Sequence, residues 1–334
     1  MSNGETPLDG IRHGRIAMPT YFDFEQPLVE LQEKISAIRQ FGKQHDLDMT
    51  HGVSELNTIY PKIKRKIFSM LSPWEIIQLT RHPQRPHPQE YIQEIFTDFL
   101  ELHGDRRFAD DRTLIGGFAK LERQPMMVLA TQKGRNLKQN MEVNFGSALP
   151  EGYRKALRLM QLAEKANCPI ITFIDTPGAY PGIGAEERHI GEAIALNLRE
   201  MFRLSVPVIC VVTGEGGSGG ALGIAVGNRV LMQEYAYYSV ITPEGCAAIL
   251  WRSNDAIPKA AEALHLTSSD LLELGVADEV VAEPNGGAHQ DFTEAARLLK
   301  TAILKHLSEL QKLTPEQLRD DRYNRFRRIG RFEE

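Results

Sequence analysis

Between an apolar strand and a short helix, the sequence reads Val212-Thr213-Gly214-Glu215-Gly216-Gly217-Ser218-Gly219-Gly220-Ala221. Five of the seven residues from Gly214 to Gly220 are glycine, which is more than a tight turn requires. Glycine lets the backbone approach another group closely or adopt a positive φ. The free N–H groups at the start of the helix lie at the positive end of its dipole. We therefore expect a receptor for an anion or oxyanion that is built from backbone.

The same segment fits two other motifs. As Gly214-x-Gly216-x-x-Gly219, with Glu234 twenty positions after Gly214, it fits the dinucleotide-binding fingerprint. However, two further glycines soon interrupt the helix, which looks too short for the crossover helix of that unit. The fingerprint also comes late in the chain, after several strands.

The segment also contains a Gly-x-Ser-x-Gly pattern centred on Ser218, which fits the nucleophile elbow of serine hydrolases. A triad would then need an acid and a histidine later in the chain, in that order. Asp255 or Asp278 could be the acid and His289 the base, but nothing local supports them. A serine in a glycine-rich loop is more often a small residue or a helix cap.

A second glycine-rich loop also follows an apolar strand and precedes a helix. It reads Asp175-Thr176-Pro177-Gly178-Ala179-Tyr180-Pro181-Gly182-Ile183-Gly184-Ala185-Glu186-Glu187. Its two prolines and three glycines predict a fixed loop that lifts backbone out of the sheet. We expect the two glycine loops to form opposite walls of one binding cleft.

Two polar segments are weaker candidates for the same site. Lys133 and Arg135 follow a strand, where cations can receive the phosphate groups of a ligand such as coenzyme A. A solvated loop explains these two residues equally well. Glu244 stands at the start of a helix, where its charge complements the dipole, so capping explains it at least as well as acid–base catalysis.

Apolar runs alternate with helical patterns in the middle of the chain, which predicts an α/β fold with a sheet covered by helices. Helices are predicted over 88–102 and 185–202, among others. We divide the chain into a flexible leader (1–20), an N-terminal helical region (21–80), a main domain (81–290) and C-terminal helices with an arginine-rich tail (291–334). The tail is expected to be a solvated helix face or a docking surface for an acidic partner.

The composition limits the classes of protein to which the chain can belong. The chain has 334 residues, of which 42% are hydrophobic and 25% charged, as in an average globular protein. Its formal charge of −5 argues against a basic protein that coats nucleic acid. No apolar run is long enough for a membrane span, and the first residues lack the apolar region of a secretory signal.

Several kinds of site have no support in the sequence. The three cysteines form no Cys-x-x-Cys pair, so we expect no zinc site in this chain and a reducing compartment, the cytoplasm or an organelle equivalent. A Walker-type phosphate loop, a His-Glu-x-x-His motif and a biotinylation site are also missing. Backbone donors without an obvious side-chain acid or base suggest that the substrate or cofactor brings its own base.

Several segments closely resemble the carboxyltransferase α subunits of bacterial-type, multi-subunit acetyl-CoA carboxylases. The resemblance runs from about residue 22 to 330 and rests on residues 23–27, 81–86, 173–182, 214–221 and 239–246. It implies a crotonase-like (ClpP/crotonase) superhelix of ββα units, with N-terminal and C-terminal helical extensions. The leader over 1–20 departs from the short N-terminus of that family.

The resemblance also implies a reaction and its partners. Carboxybiotin on a separate biotin carrier protein would give its carboxyl group to acetyl-CoA, forming malonyl-CoA for fatty acid biosynthesis. A β subunit that carries the zinc ribbon would complete the site, in an expected α2β2 assembly. ATP would be used only by a separate biotin carboxylase. The location would be the cytoplasm, or the plastid stroma in a plant.

On this reading, the backbone N–H groups of Gly219 and Gly220 form the oxyanion hole for the ureido oxygen of biotin. The expected substrate-binding residues share a position in the two glycine loops or at the end of a strand: Gly178, Gly182, Gly216, Gly217, Lys133 and Arg135.

Two other functions compete with this one. An acyl-CoA hydratase or isomerase of the same fold would need a carboxylate base, for which Glu215, Glu244 and Glu186 are the nearby options. A non-catalytic scaffold would bind partners through the helical ends but would not need the glycine loops.

Overall fold

The computed structural model describes residues 21–330. The chain forms two compact units, one that ends at Leu56 and one that begins at Asn57. The predicted flexible leader over 1–20 lies outside the described residues. The division at residues 80 and 290 stays a prediction. None of the helices between residues 21 and 330 combines the length and the apolar character needed to cross a membrane.

Helices make up most of the regular structure. The first seven are α1 (Gln26–His45), α2 (Thr50–Phe68), α3 (Pro73–Thr80), α4 (Pro88–Ile95), α5 (Leu137–Glu142), α6 (Pro150–Lys165) and α7 (Ile183–Glu187). The others are α8 (Ile190–Arg203), α9 (Ser218–Leu222), α10 (Pro243–Leu250), α11 (Ile257–Ala263), α12 (Ser268–Glu273), α13 (Phe292–Leu310) and α14 (Pro315–Arg327). The strands are β1 (Thr97–Glu101), β2 (Leu114–Leu121), β3 (Gln124–Thr131), β4 (Ile170–Thr176), β5 (Val208–Gly217), β6 (Arg229–Gln233), β7 (Tyr237–Ser239) and β8 (Glu279–Val281).

One mixed sheet organises the second unit. Its strand order is β1-β2-β3-β4-β5-β6-β8, and β7 pairs with the end of β5. The pairs β1–β2 and β2–β3 are antiparallel, and all later pairs are parallel. Every residue of β4 and β5 is buried, as expected for parallel strands covered on both faces.

The two faces of the sheet carry separate cores. Ile170 and Ile174 of β4 point into a core shared with α6, α8 and α9. Ile171 and Phe173 alternate with them and point into a core shared with α4 and α13. Because successive side chains of a strand face opposite sides, a strand that is covered on both faces is apolar at nearly every position. The predicted sheet covered by helices is therefore confirmed.

Two predicted helices are wrong in part. The helix over 88–102 ends at Ile95, and residues 97–101 form β1, which pairs with β2. Helical apolar spacing continues through that segment, but pairing with a neighbouring strand outweighs local propensity. The helix over 185–202 is broken where His189 adopts φ 64°, so that α7 and α8 are separate.

The prediction that the arginines of the tail lie on a solvated helix face or a docking surface is also wrong in part. Arg322 and Arg325 of α14 are buried, whereas Arg331 lies outside the described residues. The Arg325 Nε atom lies 2.7 Å from the Asp278 carboxylate. These two arginines therefore attach α14 to the main body rather than face solvent.

The Arg322 side chain is fully buried and works as a clamp between elements. Its guanidinium donates to the carbonyl oxygens of Met201, Leu204 and Val206 at 2.7–3.0 Å, and to the Asn228 side-chain oxygen at 2.7 Å. Burial lowers its pKa to about 10. The clamp thus fixes α14 against the end of α8 and the loops before β5 and β6.

We expect Arg322→Ala to lower the free energy of unfolding by about 3 kcal/mol or more, since each buried acceptor that loses its donor costs about 1–3 kcal/mol. Denaturant titration of the purified chain measures this difference. Arg319→Ala is the matched control, because Arg319 is exposed on the same helix and its loss should change the free energy by less than about 0.5 kcal/mol. Equal stabilities of the two variants would contradict the clamp.

Candidate active site

The central feature of the site is the start of α9. Strand β5 runs through the first glycines to Gly217, and α9 begins at Ser218. Gly219 and Gly220 are therefore the second and third residues of the helix, where N–H groups have no acceptor inside the helix. The N-cap residue, Gly217, has no side chain with which to cap them. The sequence thus leaves two adjacent backbone donors available for an acceptor from outside the helix.

The two glycine loops pack directly against each other. A Cβ atom on Gly217 would overlap the carbonyl oxygen of Pro177, and one on Gly220 would overlap the backbone of Gly178 and Ala179. Gly178 itself has φ +149°, a conformation that other residues rarely adopt. The expected opposite walls of a cleft are therefore wrong: the two loops are one backbone-to-backbone contact.

The remaining glycines of the loops have local roles. A Cβ atom on Gly216 would lie 2.9 Å from the Tyr238 ring, across the β5–β7 pair. Gly182 is the N-cap of α7, and a Cβ atom there would overlap the Tyr180 ring. Gly216 thus allows β7 to pack closely on β5, and Gly182 allows the second loop to turn into α7.

An open cavity of about 270 Å³ is lined in part by α9. Most of its lining is apolar, and the residues come from α9, from the segment around the end of β7 and from the turn before β8: Ser218, Gly219, Leu222, Tyr238, Ser239, Val240 and Val276. Of the predicted site residues, only Gly219 lines it. The start of α9 therefore borders an apolar space that a ligand could fill.

A cluster of buried charges holds the strand ends beneath the loops. The Lys133 Nζ atom lies 2.7 Å from an Asp175 oxygen and 2.6 Å from a Glu215 oxygen. The second Glu215 oxygen accepts from the Arg81 guanidinium at 2.8 Å and from the Tyr237 hydroxyl at 2.6 Å. Since Asp175 also accepts from the Glu215 N–H at 3.0 Å, the cluster ties the ends of β4 and β5 to each other.

The charge cluster fixes the protonation state of Glu215. Burial would raise the pKa of this carboxyl group, but Lys133 and Arg81 outweigh burial and hold the pKa at about 2. The carboxylates of Asp175 and Glu215 raise the pKa of Lys133, although burial alone would lower it. Glu215 is therefore an ionised partner of two cations and a poor general base near neutral pH.

The other candidate bases are also engaged or exposed. Glu244 in the first turn of α10 accepts from Arg81 at 2.5 Å. Its helix is capped by Thr242, whose hydroxyl accepts from the Gly245 N–H at 3.2 Å. Glu186 is exposed on α7. Glu215 and Glu244 are thus both paired with Arg81, although the second Glu244 oxygen is buried without a hydrogen-bond partner among residues 21–330.

The two predicted cations of the loop after β3 both have protein partners. Lys133 belongs to the charge cluster, and its side chain is only 17% exposed. Arg135 donates to the carbonyl oxygens of Pro83 and Arg85 at 3.0 and 2.8 Å and pairs with Glu90. Their contact with coenzyme A stays a prediction, and their side chains are committed to the protein in this structure.

The structure argues against both alternative motifs. Helix α9 has five residues, too few for the crossover helix of a dinucleotide-binding unit. No hydrogen bond among residues 21–330 joins Ser218 to Asp255, Asp278 or His289; Asp278 pairs with Arg325, and His289 stacks on His82 with ring centroids 4.0 Å apart. The described residues contain no group of three or more metal ligands.

Sequence reasoning missed part of the site. Arg81 and Tyr237 bind Glu215 but lie 134 and 22 residues from it in the sequence. Neither residue belongs to a local sequence motif that would identify it as part of the site. Leu222, Val240 and Val276 read as ordinary core residues. Only the position of Asp175, a charged residue near the end of a buried apolar strand, is a usable indication.

Comparison with known proteins identifies the family. A family described as acetyl co-enzyme A carboxylase carboxyltransferase-like matches residues 21–330. The chain is 55% identical to a Bordetella pertussis protein named acetyl-coenzyme A carboxylase carboxyl transferase subunit alpha, over 94% of this chain and 98% of that protein. Proteins of the same name from Geobacter metallireducens and Synechococcus elongatus are 54% and 52% identical, over 93% and 94% of this chain and 98% and 96% of theirs.

Solved structures agree at the level of the fold. A Pseudomonas malonate decarboxylase hetero-dimer matches with a TM-score of 0.53 and 18% identity, over 66% of this chain and 91% of that chain. The β subunit of a Pseudomonas aeruginosa geranyl-CoA carboxylase matches with a TM-score of 0.51 and 15% identity, over 74% of this chain and 46% of that longer chain. The expected crotonase-like fold is thereby confirmed. The chain belongs to the family of acetyl-coenzyme A carboxylase carboxyl transferase alpha subunits.

Proposed function

We propose that this chain is the α half of an acetyl-CoA carboxyltransferase, which transfers a carboxyl group from carboxybiotin to acetyl-CoA and so forms malonyl-CoA for fatty acid biosynthesis. The observation that carries the proposal is the uncapped start of α9, where Gly219 and Gly220 offer two adjacent N–H groups and Gly219 lines an apolar cavity. The names of relatives that are 51–55% identical support the same reaction.

Carboxybiotin, bound as substrate, supplies the carboxyl group and, after losing it, the base for the α-proton of acetyl-CoA. The chain's own contribution is electrostatic. Negative charge develops on the ureido oxygen, and the N–H groups of Gly219 and Gly220 are the donors that we assign to it. One such donor typically contributes about 2.7–4 kcal/mol to lowering the barrier.

The surroundings of α9 suit this role. Leu222, Val240 and Val276 give the adjacent cavity apolar walls, which suit the hydrocarbon part of a biotin ring system. A ring system that fills this open cavity would displace water from it, and a lower local dielectric strengthens the interaction between an N–H dipole and a developing charge. We therefore place the ring system beside Leu222, with its ureido oxygen at the start of α9.

The absence of a free base among the candidates favours carboxyl transfer over the hydratase or isomerase reaction. That reaction needs a carboxylate that exchanges a proton with the substrate near neutral pH. Glu215, with a pKa of about 2, remains ionised and paired with Lys133 and Arg81. In our proposal Glu215 and Lys133 position the strand ends and do not exchange protons with the substrate.

The partners follow from the same proposal. A β subunit that carries a zinc ribbon would hold the enolate of acetyl-CoA in a matching oxyanion hole, in an α2β2 assembly. A biotin carrier protein would deliver the carboxylated cofactor, and a separate biotin carboxylase would use ATP to load it. We assign no metal to this chain and propose the cytoplasm, or the plastid stroma in a plant, as its location.

Reconstitution tests the proposed reaction. We expect malonyl-CoA to form from acetyl-CoA and carboxybiotinylated carrier when the chain is mixed with its β partner, and not with either subunit alone. Hydration of crotonyl-CoA is the matched test of the alternative and should remain at background. Hydratase activity of this chain alone, or an inactive complex of two folded subunits, would contradict the proposal.

A single methyl group at Gly220 tests the backbone donors. Because a Cβ atom there overlaps the backbone of Gly178 and Ala179, Gly220→Ala must displace the start of α9. We expect kcat of the α–β complex to fall by about 10²–10³-fold, the loss typical of one oxyanion donor.

Gly191→Ala on α8 is the matched control, since a Cβ atom at that position has no neighbour within 4 Å. It should keep wild-type kcat. Size-exclusion chromatography should give the same α–β complex for both variants. Wild-type turnover of Gly220→Ala would exclude a role for this part of the backbone.

A further inference from the structure

Helix α9 is too short to be stable by itself. Isolated helices of fewer than about 12–15 residues are marginal in water, and α9 has five residues. Its direction must therefore be set by contacts with the surrounding protein. If the N–H groups of Gly219 and Gly220 act as donors, those contacts also set where the donors point.

Side chains from several neighbouring elements hold the carbonyl groups of α9 and of the turn after it. The Tyr153 hydroxyl of α6 donates to the Gly220 oxygen at 3.1 Å. The Asn197 amide of α8 donates to the Gly223 oxygen at 3.0 Å, and the Thr172 hydroxyl of β4 donates to the Ile224 oxygen at 2.9 Å. Only the Tyr153 bond reaches a residue of α9 that also carries one of the two donors.

Tyr153 has no freedom to make a different contact. Its side chain is fully buried, and its ring lies against Gly223, where a Cβ atom would be 2.7 Å from the ring. Burial and the nearby Asp111 raise the pKa of the Tyr153 phenol, so the hydroxyl keeps its proton and remains a donor. Packing of the ring against Gly223 thus orients the hydroxyl toward α9.

The geometry points to Tyr153 as a positioning residue for the oxyanion hole, which rests on the proposed function. In an α-helix the C=O and N–H bonds lie roughly parallel to the axis. A hydroxyl that fixes the C=O of Gly220 therefore fixes the axis of α9, and with it the direction of the N–H groups of Gly219 and Gly220. Tyr153 acts through the backbone and does not touch the substrate.

Tyr153→Phe in the α–β complex tests this role, because it removes one hydroxyl and keeps the ring against Gly223. The assay is the reverse reaction, carboxylation of free biocytin by malonyl-CoA. We expect kcat to fall about tenfold with an unchanged KM for malonyl-CoA.

A second readout does not depend on turnover. Amide hydrogen exchange of peptides that cover residues 218–225 should be faster in Tyr153→Phe than in the wild type, because α9 loses a tertiary hydrogen bond. Gly223→Ala pushes the Tyr153 ring away from α9 and should change kcat and exchange in the same direction. It provides the same test if Tyr153→Phe does not fold.

Tyr91→Phe is the matched control. Tyr91 is also fully buried, and its hydroxyl is hydrogen-bonded to Gln233 in the core on the opposite face of the sheet. This variant should keep the wild-type kcat and the wild-type exchange rates of residues 218–225. An inactive wild-type complex would overturn the proposed function, and this inference with it. An active wild-type complex whose kcat is unchanged in Tyr153→Phe would overturn the inference alone.

Discussion

The rest of the site depends on one steric constraint, the contact between the backbones of two glycine loops. Gly217 and Gly220 lie so close to residues 177–179 that neither has room for a Cβ atom. This contact brings the end of β4 against the start of α9 and leaves the first N–H groups of α9 without a side-chain cap. A backbone receptor needs donors that are close to the substrate and fixed in direction, and close packing of glycine backbone provides both.

Ion pairs at the ends of the strands stabilise the same arrangement. The buried cluster of Lys133, Asp175 and Glu215 joins the ends of β3, β4 and β5. Loss of one member of such a cluster leaves an uncompensated charge in the interior, which is costly. The cluster therefore rigidifies the base of the loops, and its ionised Glu215 is poorly suited to proton transfer. Catalysis by fixed dipoles, with the substrate as its own base, is consistent with both properties.

Local features of the chain could be predicted from the sequence, whereas most contacts between residues far apart in the sequence could not. Glycine density around Gly219 and the apolar runs of β4 and β5 have direct physical meanings, so the receptor segment and the covered sheet could be predicted. The roles of Arg81 and Arg322 could not, because their partners lie 134 and 94–121 positions away in sequence. Residues 97–101 form strand β1 and not the predicted helix, because pairing with β2 outweighs the helical propensity that their apolar spacing indicates. The contact of Lys133 with a ligand stays a prediction, and the structure pairs its side chain with two buried carboxylates.

The most direct test is a crystal structure of the α–β complex with biocytin bound, in which the distances from the ureido oxygen to the amide nitrogens of Gly219 and Gly220 are measured. Our account predicts that both distances are about 2.7–3.1 Å and that the ring system lies against Leu222. A ureido oxygen that is hydrogen-bonded elsewhere, with the N–H groups of α9 facing another acceptor, would contradict it.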